Sequence, residues 1–105
     1  MRFIETPVFT RRITAFTSDE DYRGLQQALL RRPTQGALIE GTGGVRKLRW
    51  GEAGRGKRGS LRIIYYWHEA RMLFLMLFVY RKSEQKDLST DQRRALANAV
   101  RQEFK

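Results

Sequence analysis

The sequence has no cysteine, a single histidine (His68) and two prolines in 105 residues. Without cysteine there is no disulfide framework, no thiolate metal site and no thiol nucleophile. One histidine rules out a His pair for acid–base work or metal binding. The longest apolar run, "MLFLMLFVY" at Met72 to Tyr80, is far shorter than a bilayer span, and "MRFIETPVF" at the N-terminus contains no signal-peptide core. The expectation is a soluble, cytoplasmic chain that forms a single domain over residues 1–105, with no membrane partner and enough length to bury its own core.

Acidic residues are the other scarcity. The chain carries 21 Lys and Arg against 11 Asp and Glu, a formal net charge of +10, and both ends are nearly neutral. Residues 44 to 82 hold ten basic side chains against Glu52 and Glu69 only. Ordinary surfaces intersperse both signs, whereas a field this localised attracts polyanions, with nucleic acid the first candidate. No helix pairs a basic face with a bulky apolar one, which argues against a membrane surface.

Periodicity divides the chain. "RFIE" reads as a short strand, after which Thr6 is an N-cap with Pro7 at the first helical position and Phe9, Ile13 and Phe16 at helical spacing. Ser18 announces a second helix, with Asp19, Glu20 and Asp21 at its positive end, Arg31 and Arg32 at its negative end, and Tyr22, Leu25 and Leu29 as its buried stripe. "VRKLRW" then alternates, placing Lys47 and Arg49 opposite Leu48 and Trp50, and "LRIIYYW" places Arg62, Ile64 and Tyr66 opposite Leu61, Ile63, Tyr65 and Trp67. "HEAR" reads as a hairpin connection that leaves His68 an exposed bystander, and the run after it is apolar on both faces, as in a fully buried strand. Ser89 and Gln92 have capping-box spacing ahead of Leu96, Val100 and Phe104. The predicted class is α+β: an N-terminal αα-hairpin, an antiparallel sheet and a C-terminal helix.

Two glycine motifs fail on context. Gly51, Gly56 and Lys57 fit G-x-x-x-x-G-K, but Arg58 stands where a P-loop needs Ser or Thr, and the stretch runs into a strand rather than a helix N-terminus. "GEAG" and "GKRG" match the GXXG of KH domains, which joins helices, not strands. What is left is a glycine-rich hairpin loop whose Arg55, Lys57 and Arg58 are candidates for phosphate contacts, with Arg46 and Arg81 as further RNA-binding cations. Trp50, Tyr65, Tyr66, Phe74 and Phe78 read as core. Catalysis, where present, falls to Lys, Arg and Tyr.

The ordered set "GGVRKLRW", a basic glycine loop, "GSLRIIYYW", a strand ending "FVYRKSEQKDLS" and a helix opening "TDQRRAL" resembles the RelE/HigB superfamily of toxins from type II toxin–antitoxin modules, and most of all its HigB-like branch. The resemblance implies a RelE-like fold and a ribosome-dependent messenger RNA endoribonuclease that inhibits translation. It also implies a cognate antitoxin, usually bearing a DNA-binding domain, with the ribosome and mRNA as the other partners and no cofactor or metal. Carried over by position, Lys47 and Arg49 resemble the basic pair of the first active-site strand. Arg62 resembles the arginine facing the scissile phosphate, and Lys82 the basic residue after the central strand; Tyr80 shares the parity of Lys82.

Metal-free RNA cleavage requires the 2′-hydroxyl to lose a proton as it attacks, the phosphoryl oxygens to be stabilised, and the departing 5′-oxygen to be protonated. Arg62 suits the second task because a guanidinium stays charged and grips phosphate bidentately. Lysines crowded by cations suit proton transfer, which points to Lys47 and Lys82. The alternatives are a non-catalytic basic module that binds RNA or the ribosome, and a gyrase-poisoning toxin of the ParE kind.

Overall fold

The structure, a computed structural model, describes residues 1–51 and 60–104. Thr6 turns the first strand, β1 (Arg2–Glu5), into the first helix, α1 (Pro7–Phe16): its hydroxyl oxygen accepts from the Phe9 N–H at 3.1 Å, and Pro7 needs no donor partner there. Ser18 does the same for α2 (Asp19–Arg31), accepting from the Asp21 N–H at 3.1 Å, with three acids in the first turn. The strands β2 (Ala37–Leu38), β3 (Arg46–Trp50), β4 (Leu61–His68) and β5 (Leu73–Arg81) follow, then α3 (Thr90–Glu103) behind a complete Ser89–Gln92 capping box.

The five strands form one sheet in the order β1-β5-β4-β3-β2. From β2 to β5 the pairing is antiparallel, as expected, whereas β1 pairs β5 in parallel, Arg2 opposite Leu73 through Glu5 opposite Met76. Two helices and three strands separate β1 from β5 along the chain, so no hairpin dictates the direction of β1. The two residues of β2 are too few to show a period, and the sequence reading missed them.

Each face of the sheet carries its own core. Phe9 and Ile13 of α1 and Leu25 and Leu29 of α2 pack on Leu61, Ile63, Tyr65, Phe74, Met76 and Val79. On the opposite face Leu96 and Val100 of α3 pack with Leu88 on Val45, Ile64, Leu75, Leu77 and Tyr80. This double burial is why β5 is apolar at nearly every position. Between the pairs Ile64–Phe78 and Tyr65–Met76 the register slips, leaving Leu77 as one extra residue on β5. Thr6 braces the slip: its hydroxyl donates to the Leu77 carbonyl at 2.7 Å, and its N–H to the Met76 carbonyl at 3.0 Å. Beyond the slip, Tyr80 lies in the core under α3 rather than with Phe74 and Met76.

His68 departs from the expectation of an exposed bystander in a connection. It is the last residue of β4, its ring stacks on Phe104 with centroids 4.3 Å apart, and its Nδ1 accepts from the Arg71 N–H at 3.2 Å. The turn proper is residues 69–72, where Met72 takes a φ of +51°.

Candidate nucleic-acid site

Cross-strand register decides which cations meet. Arg49 lies opposite Arg62 and Arg62 opposite Tyr80, while Lys47 lies opposite Ile64 in the neighbouring row. Because paired residues share a face, Lys47, Arg49, Arg62 and Tyr80 all stand on the α3 side of the sheet. Directly opposed like charges, as at Arg49 and Arg62, destabilise a sheet, so stability alone does not account for them.

Lys47, Arg49 and Arg62 open on a cleft of about 490 Å³ lined also by Gln35, Ala37, Leu48 and Lys86, whereas Tyr80 is not part of the lining. Arg62 is only 8% exposed, and its Nη1 lies 3.3 Å from the Leu61 carbonyl. At the edge of this group a single carboxylate bridges two elements: Asp87 Oδ1 accepts from Lys47 Nζ, and Asp87 Oδ2 from Arg93 Nη2, each at 3.1 Å. The Leu88 N–H, 2.7 Å from Oδ1, is the leading cause that holds the Asp87 carboxyl below its ordinary range, with Lys47 and Arg93 adding to it. Tyr80 is fully buried. Burial first, and the Asp87 charge second, push its phenol up against the opposing pull of Arg62 and Arg93, so at neutral pH it is a hydroxyl and a proton donor rather than a phenolate base.

Among the described residues, no three side chains of His, Cys, Asp or Glu gather as metal ligands. Nor, among them, is any helix long and apolar enough to cross a membrane.

The family model described as "RelE toxin of RelE / RelB toxin-antitoxin system" matches residues 6–104. The chain belongs to the RelE toxin family. Among solved structures it is similar to a double arginine-to-alanine mutant of the E. coli toxin RelE in the free state, at 11% identity and a TM-score of 0.59, covering 93% of this chain and 94% of that one. At that identity the likeness establishes the fold, and it agrees with the α+β architecture above.

In this RelE-family toxin, Lys47, Arg49 and Arg62 come together as their alternation predicts, and the register slip at Leu77 brings Tyr80 to the same side. Lys82 follows β5 by one residue, its N–H donating to the Ser60 carbonyl at 2.9 Å, and its exposed side chain is not part of the cleft lining. Arg55, Lys57 and Arg58 lie outside the described residues. Two candidates are turned elsewhere. Arg46, paired with Tyr65, belongs to the α1–α2 side, and its Nη1 donates to the carbonyls of Thr34 and Gly36 at 2.9 and 2.7 Å. Arg81, paired with Leu61, sits over the Phe16 ring at 4.4 Å.

Three residues at the site escaped the sequence reading: Lys86, Asp87 and Arg93. Arg93 had a visible signal, since it precedes Leu96 and Val100 by three and seven positions and so places a cation on the apolar stripe of α3. Asp87 had none, because it meets Lys47 across 40 positions of chain. It also alters one expectation, because Lys47 stands beside an anion rather than among cations alone.

Proposed function

We propose that this toxin, in the manner of the HigB-like branch, is a cytoplasmic, single-domain endoribonuclease that cuts messenger RNA on the ribosome and is silenced by a cognate antitoxin carrying a DNA-binding domain. The observation that supports the reading most is the register that stacks Arg49, Arg62 and buried Tyr80 in one row with Lys47 beside it, the three cations lining an open cleft. A binder needs net charge; it does not need opposed arginines on neighbouring strands.

Arg62, held by the sheet and largely buried, grips the scissile phosphate and stabilises the charge that builds on its oxygens as the 2′-hydroxyl attacks. Arg49 adds positive charge from the exposed side of the same row. The Tyr80 hydroxyl, kept protonated by its surroundings, donates towards the phosphate or the leaving 5′-oxygen. Lys47 and Lys82 are the candidates to take up the 2′-hydroxyl proton. Side chains alone supply this chemistry, and the product carries a 2′,3′-cyclic phosphate.

The test is cleavage on ribosomes programmed with a defined message. Arg62→Ala should lose on the order of 10² to 10³ in rate at unchanged ribosome binding, the usual size for removing a preorganised electrostatic donor. Arg62→Lys should also be slow, because lysine keeps the charge but not the fork. Equal cleavage by wild type and Arg62→Ala, or products ending in a 3′-hydroxyl, would reject the mechanism.

A further inference from the structure

Asp87 is the one carboxylate bound to the cations of the cleft face among the described residues, and it touches them as a substrate anion would. Its two oxygens take one hydrogen each from Lys47 on β3 and Arg93 on α3. Next to this bridge two polar atoms are buried without a hydrogen-bond partner among the described residues: the Tyr80 hydroxyl oxygen and Arg93 Nε. Burying such groups unsatisfied is costly, so their persistence beside a cationic cleft calls for an acceptor that the described residues do not supply. A carboxylate, with two oxygens in one plane, serves Lys47 and one edge of Arg93. A phosphodiester has more oxygens, arranged tetrahedrally, and can serve the same two donors while offering an acceptor to Arg93 Nε–H or to the Tyr80 hydroxyl.

The carboxylate is also replaceable. Asp87 lies in the bend between β5 and α3, its side chain is 49% exposed, and water therefore weakens both ion pairs.

We infer that Lys47, Arg93 and Tyr80 form a phosphate subsite beside Arg62, which the carboxylate of Asp87 fills in the free toxin and an RNA phosphate takes over on binding. The inference rests on the nucleic-acid reading of the cleft. It assigns Arg93 as a substrate-binding residue and Asp87 as the internal competitor that the substrate displaces.

Asp87→Asn removes the charge and keeps an oxygen to accept from the Leu88 N–H, so the turn into α3 is retained. Two probes are titrated at low salt: inorganic phosphate, followed by NMR, and a 2′-O-methyl RNA oligonucleotide that cannot be cleaved. Asp87→Asn should bind both about three- to tenfold more tightly than wild type, the size set by losing two partly exposed ion pairs. Adding Arg93→Ala should cancel the gain, and Arg93→Ala alone should weaken phosphate binding even if the Asn variant folds poorly. Unchanged or weaker binding of both probes by folded Asp87→Asn overturns the subsite, as does a gain that survives Arg93→Ala or a failure of both proteins to bind phosphate. Tighter phosphate binding with no oligonucleotide binding in either protein would support the subsite and reject the RNA reading. Equal oligonucleotide binding with unchanged phosphate binding would do the reverse.

Discussion

Replacing Gly36 with alanine should cost this fold about 2–4 kcal/mol, although the change adds one methyl group to a loop. A Cβ at Gly36 would stand 2.8 Å from Tyr65 Cε1, 3.0 Å from Tyr65 Oη and 3.2 Å from Arg46 Cβ. The ring cannot yield freely. Tyr65 is fully buried, and its hydroxyl donates to the Pro33 carbonyl at 2.8 Å while accepting from the Gly36 N–H at 3.0 Å. Either the overlap is kept as packing strain of about 1–3 kcal/mol, or the ring moves and forfeits hydrogen bonds worth about 0.5–1.5 kcal/mol net each. For a chain of this size the sum lowers Tm by roughly 10–25 °C. Gly24 is the internal control. It lies within α2, where an added Cβ would meet only Trp50 Cζ2 at 3.9 Å, so Gly24→Ala should gain about 0.5–1 kcal/mol from helix propensity. Urea and thermal melts of both variants decide the matter. A Gly36→Ala protein melting within about 3 °C of wild type, or one more stable than Gly24→Ala, refutes the steric reasoning.

Arg12 clasps the half of β5 that β1 does not reach, donating from Nε to the Val79 carbonyl at 2.7 Å and from Nη2 to both Glu84 oxygens at 2.6 and 2.7 Å; Arg12→Ala should cost about 1–2 kcal/mol, read by urea denaturation. The Arg12 hydrogen bond, ahead of the Arg81 N–H, lowers the Glu84 carboxyl in the folded state below its ordinary 4.5. The Glu84 contribution to stability is therefore full above that value and lost as pH falls through the lower folded one, so the gap between wild type and Arg12→Ala should narrow under acid to the share of the Val79 hydrogen bond and be widest at pH near 7. Tyr80→Phe removes a buried hydroxyl that has no partner among the described residues, so melting should be unchanged or slightly raised while cleavage on ribosomes falls; a large loss of stability would contradict the unpaired state of that oxygen.

The helix starts were legible because their signals are local: Thr6 before Pro7, Ser18 before three acids, and Ser89 three residues before Gln92 each cap a helix in the structure. The cation face was legible for the same reason, since alternation alone puts Lys47 with Arg49 and, on the next strand, Arg62 with Ile64. Parity also separated Arg46 from Lys47 and Arg81 from Tyr80. Grouping all five of the RNA-binding candidates by charge set that information aside, and the structure turns Arg46 and Arg81 to the other side. The Asp87 bridge was hidden because it depends on how the α3 segment docks across the sheet, a tertiary event with no local pattern. The parallel entry of β1 was hidden likewise, being settled by neighbours more than 60 positions away.

The extra residue at Leu77 divides β5 into two reading frames. In the first frame, from Leu73 to Met76, even-numbered side chains serve the core under α1 and α2; in the second, Val79 takes that duty and Tyr80 crosses to the cation face. A strand of ideal period through the same residues would keep its apolar character yet deliver the phenol to the wrong side. The chemical half of the strand is thus phased independently of the architectural half, and the phase marker is held by Thr6, from the segment that opens the chain. Substitutions that preserve hydrophobicity along β5 can therefore leave the protein folded and blunt its site, whereas the spacing between Leu77 and Tyr80 is a property that no hydropathy profile records.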